Sequence, residues 1–199
     1  MIKVIFATQN KGKIKEIREI MQDMDIDIIT MEEAGINIQV IEDGKTFEEN
    51  AIKKAEEIMK ISGAIVLADD SGLEIDYFNG KPGVYSARYL GENTPYEEKN
   101  AIILDQMKDV SEEKRGARFI CVIAAAFPNR ETIITKGIME GIVGYEPIGT
   151  GGFGYDPIFY MEEFGTSTAN IPAEVKNKIS HRGKALKQMK TELKRILES

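Results

Sequence analysis

Two long strand-like runs, residues 117–127 and 131–143, flank Pro128-Asn129-Arg130, and they constrain the fold more than any other feature of the chain. Two such runs around a short polar turn predict a β-hairpin, which imposes antiparallel pairing. Upstream, strand-like and helix-like segments alternate, and strand–helix–strand order imposes parallel pairing through crossovers. One mixed, twisted sheet with flanking helices meets both demands, so the chain is expected to be α/β. Its 199 residues suffice to bury a core without covalent staples. No repeat or low-complexity linker divides them, and a single domain over 1–199 is expected.

The remaining elements follow from periodicity and caps. Ile2 to Ala7 reads as a buried strand. Ile14, Ile17, Ile20, Met21 and Met24 predict a helix over 11–24. Ile36, Ile38 and Val40 alternate with polar residues, as in a half-exposed strand. Thr46 with Glu49 forms a capping box that opens a helix continuing to Ser62, and Thr94-Pro95 with Glu97 opens another, with proline at its first position. Ala64 to Ala68 reads as a buried strand that ends in Asp69-Asp70-Ser71-Gly72, with Leu73, Ile75 and Tyr77 on the next strand. A short run at Pro157 to Tyr160 follows the glycines of 149–154, and Ser180 to Leu197 closes the chain as an amphipathic helix.

Composition excludes several classes. The formal net charge of −7 argues against a general nucleic-acid binder, which needs a basic surface. No apolar run reaches the ~18 residues that span a bilayer, and the opening apolar stretch is too short for a signal peptide. A single cysteine, Cys121, lies in an apolar run and reads as a small buried hydrophobe. The lack of paired cysteines fits a cytoplasmic location.

Four segments carry residue types suited to chemistry. Thr8-Gln9-Asn10-Lys11-Gly12-Lys13 stands where a strand hands over to a helix. Unpaired N–H groups at a helix start suit a phosphate, and two lysines add charge; a capped helix start with solvated lysines explains the same residues. It is not a P-loop, because no glycine stands five positions before Gly12. Glu42, Asp69 and Asp70 form an acidic set. Neighbours on a strand face opposite ways, so Asp69 and Asp70 are expected to differ in role. Such acids serve a phosphate site only with a cation between, and Mg²⁺ takes one or two carboxylates plus substrate oxygens and water; a polar strand-to-turn exit is the alternative. In Gly149 to Asp156, Phe153 and Tyr155 either stack on a purine or cover the core. In Ser180-His181-Arg182-Gly183, the only histidine cannot build a multi-histidine metal site; beside Arg182 it either contacts a base carbonyl or is structural.

Taken in order, T-Q-N-K-G-K, T-F-E-E-N-A, A-D-D-S-G-L, P-G-V-Y-S-A-R-Y, G-T-G-G-F-G-Y-D-P-I-F and I-S-H-R-G-K-A-L closely resemble the Ham1/inosine triphosphate pyrophosphatase family, the XTP/dITP diphosphatases, over essentially the whole chain. The resemblance implies an elongated, twisted mixed sheet in two lobes with the substrate in a central cleft, as in Maf/Ham1-like folds, and a homodimer. It implies Mg²⁺-dependent hydrolysis of dITP, ITP and XTP to monophosphate and pyrophosphate. It also implies roles. Thr8, Gln9, Asn10, Lys11, Gly12 and Lys13 resemble the triphosphate-binding turn. Glu42 and Asp70 match magnesium ligands, and Asp70 also matches the proton acceptor. Ser71 matches a substrate contact, and Phe153, Gly154, Tyr155, Asp156, Lys176, His181 and Arg182 match nucleotide contacts. Gln9 departs from the small residue common there. Glu49 and Asn50 are expected to serve the polar site as well as the cap. Two other readings stay open from the residues alone: a Maf-like pyrophosphatase acting on modified pyrimidine or methylated nucleotides, and a nucleotide- or RNA-binding module without catalysis.

Overall fold

A computed structural model describes residues 2–198. Its seven strands are β1 (Ile2–Phe6), β2 (Ile26–Thr30), β3 (Ile65–Ile75), β4 (Gly116–Phe127), β5 (Arg130–Val143), β6 (Phe159–Met161) and β7 (Thr166–Ser167). They form one sheet in the order β2-β1-β3-β4-β5-β6-β7. β1 pairs in parallel with β2 and β3, whereas β6 is antiparallel to β5 and β7. Among the described residues five α-helices accompany the sheet: α1 (Lys11–Met21), α2 (Phe47–Ser62), α3 (Tyr96–Gln106), α4 (Ala173–Ile179) and α5 (His181–Leu197). Crossovers and a hairpin in one mixed sheet are what the sequence demanded.

The chain forms two compact units. The first takes the residues up to Asp70, Cys121–Gly137 and those from His181 on. In its core Val4, Phe6, Leu67 and Ile123 of the strands meet Ile17 and Met21 of α1 and Leu186, Met189 and Leu193 of α5. Full burial of each such side chain stabilises by roughly 1.5–3 kcal/mol. Helix α5 sits directly on β5, because a Cβ at Gly137 would lie 2.0 Å from the His181 carbonyl oxygen. The Thr135 hydroxyl, two residues earlier, donates to the Ala185 carbonyl at 2.9 Å. The second unit holds Ser71–Ile120 and Ile138–Ser180. Its own core joins Leu73, Ile75, Phe119, Met139 and Val143 to Ile103 of α3, to Met107 that caps this helix, and to Phe159. There the fully buried Arg115 donates to the carbonyls of Met107, Val110, Val143 and Gly144, closing the ends of α3 and β5 together.

Several expectations are corrected. Residues 36–40 are not a strand: the strand beside β1 is β2, and Ile38 and Ile41 stand exposed in a loop with no ladder to join. Helix α1 stops at Met21 rather than 24, although Met24 still enters the core. Asp69-Asp70-Ser71-Gly72 does not end a strand; it lies in the middle of the eleven-residue β3. The Thr94 hydroxyl donates to the Leu90 carbonyl instead of capping α3, and Pro95 occupies the cap position. The Thr46 cap is found as expected, with its hydroxyl accepting from the Glu49 N–H at 3.1 Å, while Glu49 reaches back to the Lys45 N–H.

Candidate active site

The first unit gathers its charge where β1, β3, α1, α2 and α5 bring polar residues together. β1 runs into Ala7, whose N–H still bonds the Leu67 carbonyl at 2.7 Å. The turn that follows is self-supporting. Thr8 Oγ1 accepts from the Asn10 N–H, and Asn10 Oδ1 accepts from the Gly12 and Lys13 N–H groups at 2.9 and 3.2 Å. Asn10 is therefore the N-cap of α1. The turn presents its residues in two directions. Lys13 turns inward to Asp69, 2.8 Å away. Thr8, Gln9 and Lys11 line a groove of about 950 Å³ with Ile14, Arg18 and Met31, and none of Glu42, Asp69 or Asp70 borders it.

The two adjacent aspartates take opposite parts, as strand geometry requires. Asp69 is fully buried. Its Oδ2 meets Lys13 and, at 3.4 Å, Arg182, whose other terminal nitrogen binds Glu16 at 2.5 Å. Burial alone would raise its carboxyl, but the charges of Lys13, Arg182 and Lys54 outweigh it and hold the group well below the usual carboxylate range. Asp70, 6% exposed, accepts from Asn50 Nδ2 at 2.9 Å. Burial first, and then the charge of Glu42, push its carboxyl up to about 6 despite the Asn50 hydrogen bond. Asn50 does two jobs, since its Oδ1 also accepts from the Gly44 N–H at 2.8 Å and so ties α2 to the turn carrying Glu42. Lys54, one helical turn beyond Asn50, is ion-paired with Glu42.

Glu42 and Asp70 offer oxygen donors of the kind a magnesium ion takes. The charge of Glu42 adds to burial in raising the proton affinity of Asp70. Among the described residues no three His, Cys, Asp or Glu side chains form a closed metal cage.

The second unit holds Ser71, half-buried on β3, and the glycine-rich segment. Gly149, Gly152 and Gly154 have φ of +81°, +69° and +69°, as the expected unusual backbone requires. Asp156 locks the segment. Its Oδ2 accepts from the Phe153 N–H at 2.8 Å and from Lys176 Nζ at 2.6 Å, while Oδ1 accepts from the Thr168 hydroxyl at 2.8 Å. Lys176 Nζ also lies 5.4 Å from the centre of the Phe153 ring. The two aromatics part company. Tyr155 covers the core, one of the two alternatives its residue type left open, and its hydroxyl donates to the Ser86 carbonyl at 2.7 Å. Phe153 stays half-exposed.

Several contributors were not singled out in the sequence. Lys54 had a signal, since it shares a helix face with Asn50 at spacing four. Glu16 had the same relation to Lys13 only at spacing three, and nothing local tied it to Arg182. His181 and Arg182 are both buried at the start of α5.

The Ham1 family profile matches residues 4–192. A Clostridium perfringens protein named dITP/XTP pyrophosphatase is 48% identical, with both chains covered completely, and one of the same name from Geobacter sulfurreducens is 46% identical over 97% of each chain. The solved structure of a HAM1 protein from Coxiella burnetii superposes with a TM-score of 0.89 at 40% identity, covering 98% of this chain and all of that one. With a family match over nearly its whole length, and close relatives in both sequence and structure, the chain belongs to the Ham1 family.

Proposed function

We propose that this protein hydrolyses the non-canonical purine nucleoside triphosphates dITP, ITP and XTP to the monophosphate and pyrophosphate. The observation that carries the reading is geometric: Lys13 and Arg182 converge on the buried Asp69, while the next residue, Asp70, is held by Asn50. The names of the related proteins point the same way.

In this reading Lys11 and Lys13 offset phosphate charge at the Thr8 to Lys13 turn, which opens α1. Mg²⁺ held by Glu42 and Asp70 supplies, when bound, charge neutralisation and polarisation of the phosphate. Asp70 of β3, held by Asn50, is the carboxylate assigned to accept the proton of the attacking water. The water oxygen bonds to the α-phosphorus, the bond from that phosphorus to the bridging oxygen breaks, and pyrophosphate leaves. Positioning and charge compensation are most of what such a transfer asks of a protein. Asn50 holds Asp70 in place. Phe153 offers the stacking face for the purine, in a segment completed by Gly154, Tyr155, Asp156 and Lys176, and Ser71 adds a polar contact.

Base selection follows from hydrogen-bond polarity. Hypoxanthine and xanthine carry an acceptor oxygen at purine position 6, where adenine carries a donor amine. Arg182 is assigned to that oxygen together with His181; the grip of Glu16 and Asp69 fixes the direction of its guanidinium in advance. A site built around such a contact rejects the mismatched base by up to ~10⁴-fold. The reading includes a cytoplasmic homodimer, which light scattering on the purified protein tests for subunit number. Among the described residues no helix is long and apolar enough to cross a membrane.

The decisive experiment incubates the protein with dITP, XTP, GTP and ATP, with and without Mg²⁺, and resolves the products by ion exchange. Monophosphate and pyrophosphate from dITP and XTP are expected, only with Mg²⁺. Release of orthophosphate, or equal turnover of ATP, contradicts the reading.

A further inference from the structure

We propose that Asn100 is a positioning residue for purine recognition, acting through the backbone carbonyl of Gly154. The inference rests on the function proposed above and concerns a residue outside every motif in the sequence. Asn100 lies on α3 with 5% of its surface exposed. Its Nδ2 donates to the Gly154 carbonyl at 3.1 Å, across fifty-four residues of chain. Its Oδ1 is buried and has no hydrogen-bond partner among the described residues.

The same turn of α3 grips this segment at further points. Tyr96 lies against Gly154, where an added Cβ would stand 3.7 Å from the ring, and its ring meets that of Tyr155 edge-on at 5.1 Å. Lys99 Nζ donates to the Ala87 carbonyl at 2.7 Å, beside Ser86, whose carbonyl takes the Tyr155 hydroxyl. The segment is thus held by α3 at Gly154 and Tyr155, and by Asp156 at the Phe153 N–H. Phe153, the half-exposed ring, projects from between these two anchors.

The amide donor, rather than the bulk of the side chain, makes this contact. What an apolar side chain cannot do is fix the Gly154 carbonyl, and with it the Gly154–Tyr155 peptide and the left-handed turn at Gly154 (φ +69°). A stacking ring works only when held close to its productive orientation.

The test compares the full-length protein with Asn100→Leu and Asn100→Ser. Leucine removes the donor at similar volume, and serine restores a donor hydroxyl. For Asn100→Leu with dITP, KM is expected to rise roughly tenfold, equivalent to one factor of ten in binding, with kcat within about threefold of the parent, because the residues assigned to the chemistry are untouched. The Mg²⁺ concentration for half-maximal activity stays where it was. Asn100→Ser recovers part of the KM. Hydrogen exchange read by mass spectrometry should quicken in residues 149–156 of Asn100→Leu, and this measurement stands even where turnover is too weak to follow. Unchanged KM with unchanged exchange overturns the proposal, and so does an equal fall of kcat for every nucleotide at constant KM. Failure of the parent protein to hydrolyse any triphosphate defeats the proposed function instead, and the exchange comparison separates the two failures.

Discussion

The two compact units treat a buried aspartate in opposite ways. In the second, both carboxylate oxygens of Asp156 are met, by an ammonium, a backbone N–H and a hydroxyl. In the first, Asp70 takes an amide donor from Asn50 but sits buried near another acid, and its proton affinity climbs. The difference separates scaffold from chemistry. A satisfied carboxylate fixes a shape, whereas one held at an electrostatic disadvantage marks a place kept for a ligand at the expense of stability. The contrast can be broken by making the same change, Asp to Asn, in each unit.

The largest effect is expected in turnover. Asp70→Asn should lower kcat for dITP by about 10²–10⁴-fold at saturating Mg²⁺, the usual worth of a positioned base. Asp156→Asn should act mainly on KM, since it loosens the Phe153 segment and leaves Asp70 alone. Steady-state kinetics on both variants decides, and near-normal turnover by Asp70→Asn removes that residue from the chemistry. Stability comes next. Asp156→Asn removes the anion bonded to Lys176 in a site where both side chains are under a tenth exposed. Breaking such a pair costs about 3–5 kcal/mol, readable as a lower denaturant midpoint. Asp156→Leu combined with Lys176→Met should recover part of that loss, because removing both charges leaves neither stranded.

The comparison also explains what the sequence revealed. The hairpin, α2 and α5 were legible because apolar periodicity and caps are local signals. The short β2 was missed, and the alternation at Ile36, Ile38 and Val40 misled, because alternation alone does not say whether a neighbouring strand is present. Asp69-Asp70-Ser71-Gly72 looked like a strand exit, since those residue types favour turns. What keeps them in strand is tertiary: Asp69 is bound by Lys13 and Arg182, and Asp70 by Asn50. The division of labour between the aspartates was visible from strand geometry, but which acid was anchored was not, because residues 13, 16, 69 and 182 converge only in the fold. Tyr155 could not be separated from Phe153 by type. The core decided between them.

The smallest expected effect tests the contrast most directly, through pH. The Asp70 carboxyl titrates at about 6 in the folded protein, against 3.8 for the ordinary group. A carboxyl raised on folding favours the folded state fully below 3.8, and that advantage is lost as pH rises through 6. Asp69 runs the other way: its carboxyl is lowered, so its contribution is complete above 3.8 and is lost only in stronger acid. Between pH 4 and 7 the two therefore do not cancel. In chelator, the unfolding free energy of the parent protein should fall relative to that of Asp70→Asn by up to about 3 kcal/mol across this window, two pKa units at 1.36 kcal/mol each. Above pH 6 Asp70→Asn should be the more stable protein, whereas Asp156→Asn is less stable than the parent throughout. Adding Mg²⁺ should narrow the gap at Asp70 by favouring the charged carboxylate. A metal-free Asp70→Asn that is less stable than the parent at pH 7 would mean that Asp70, like Asp156, belongs to the scaffold.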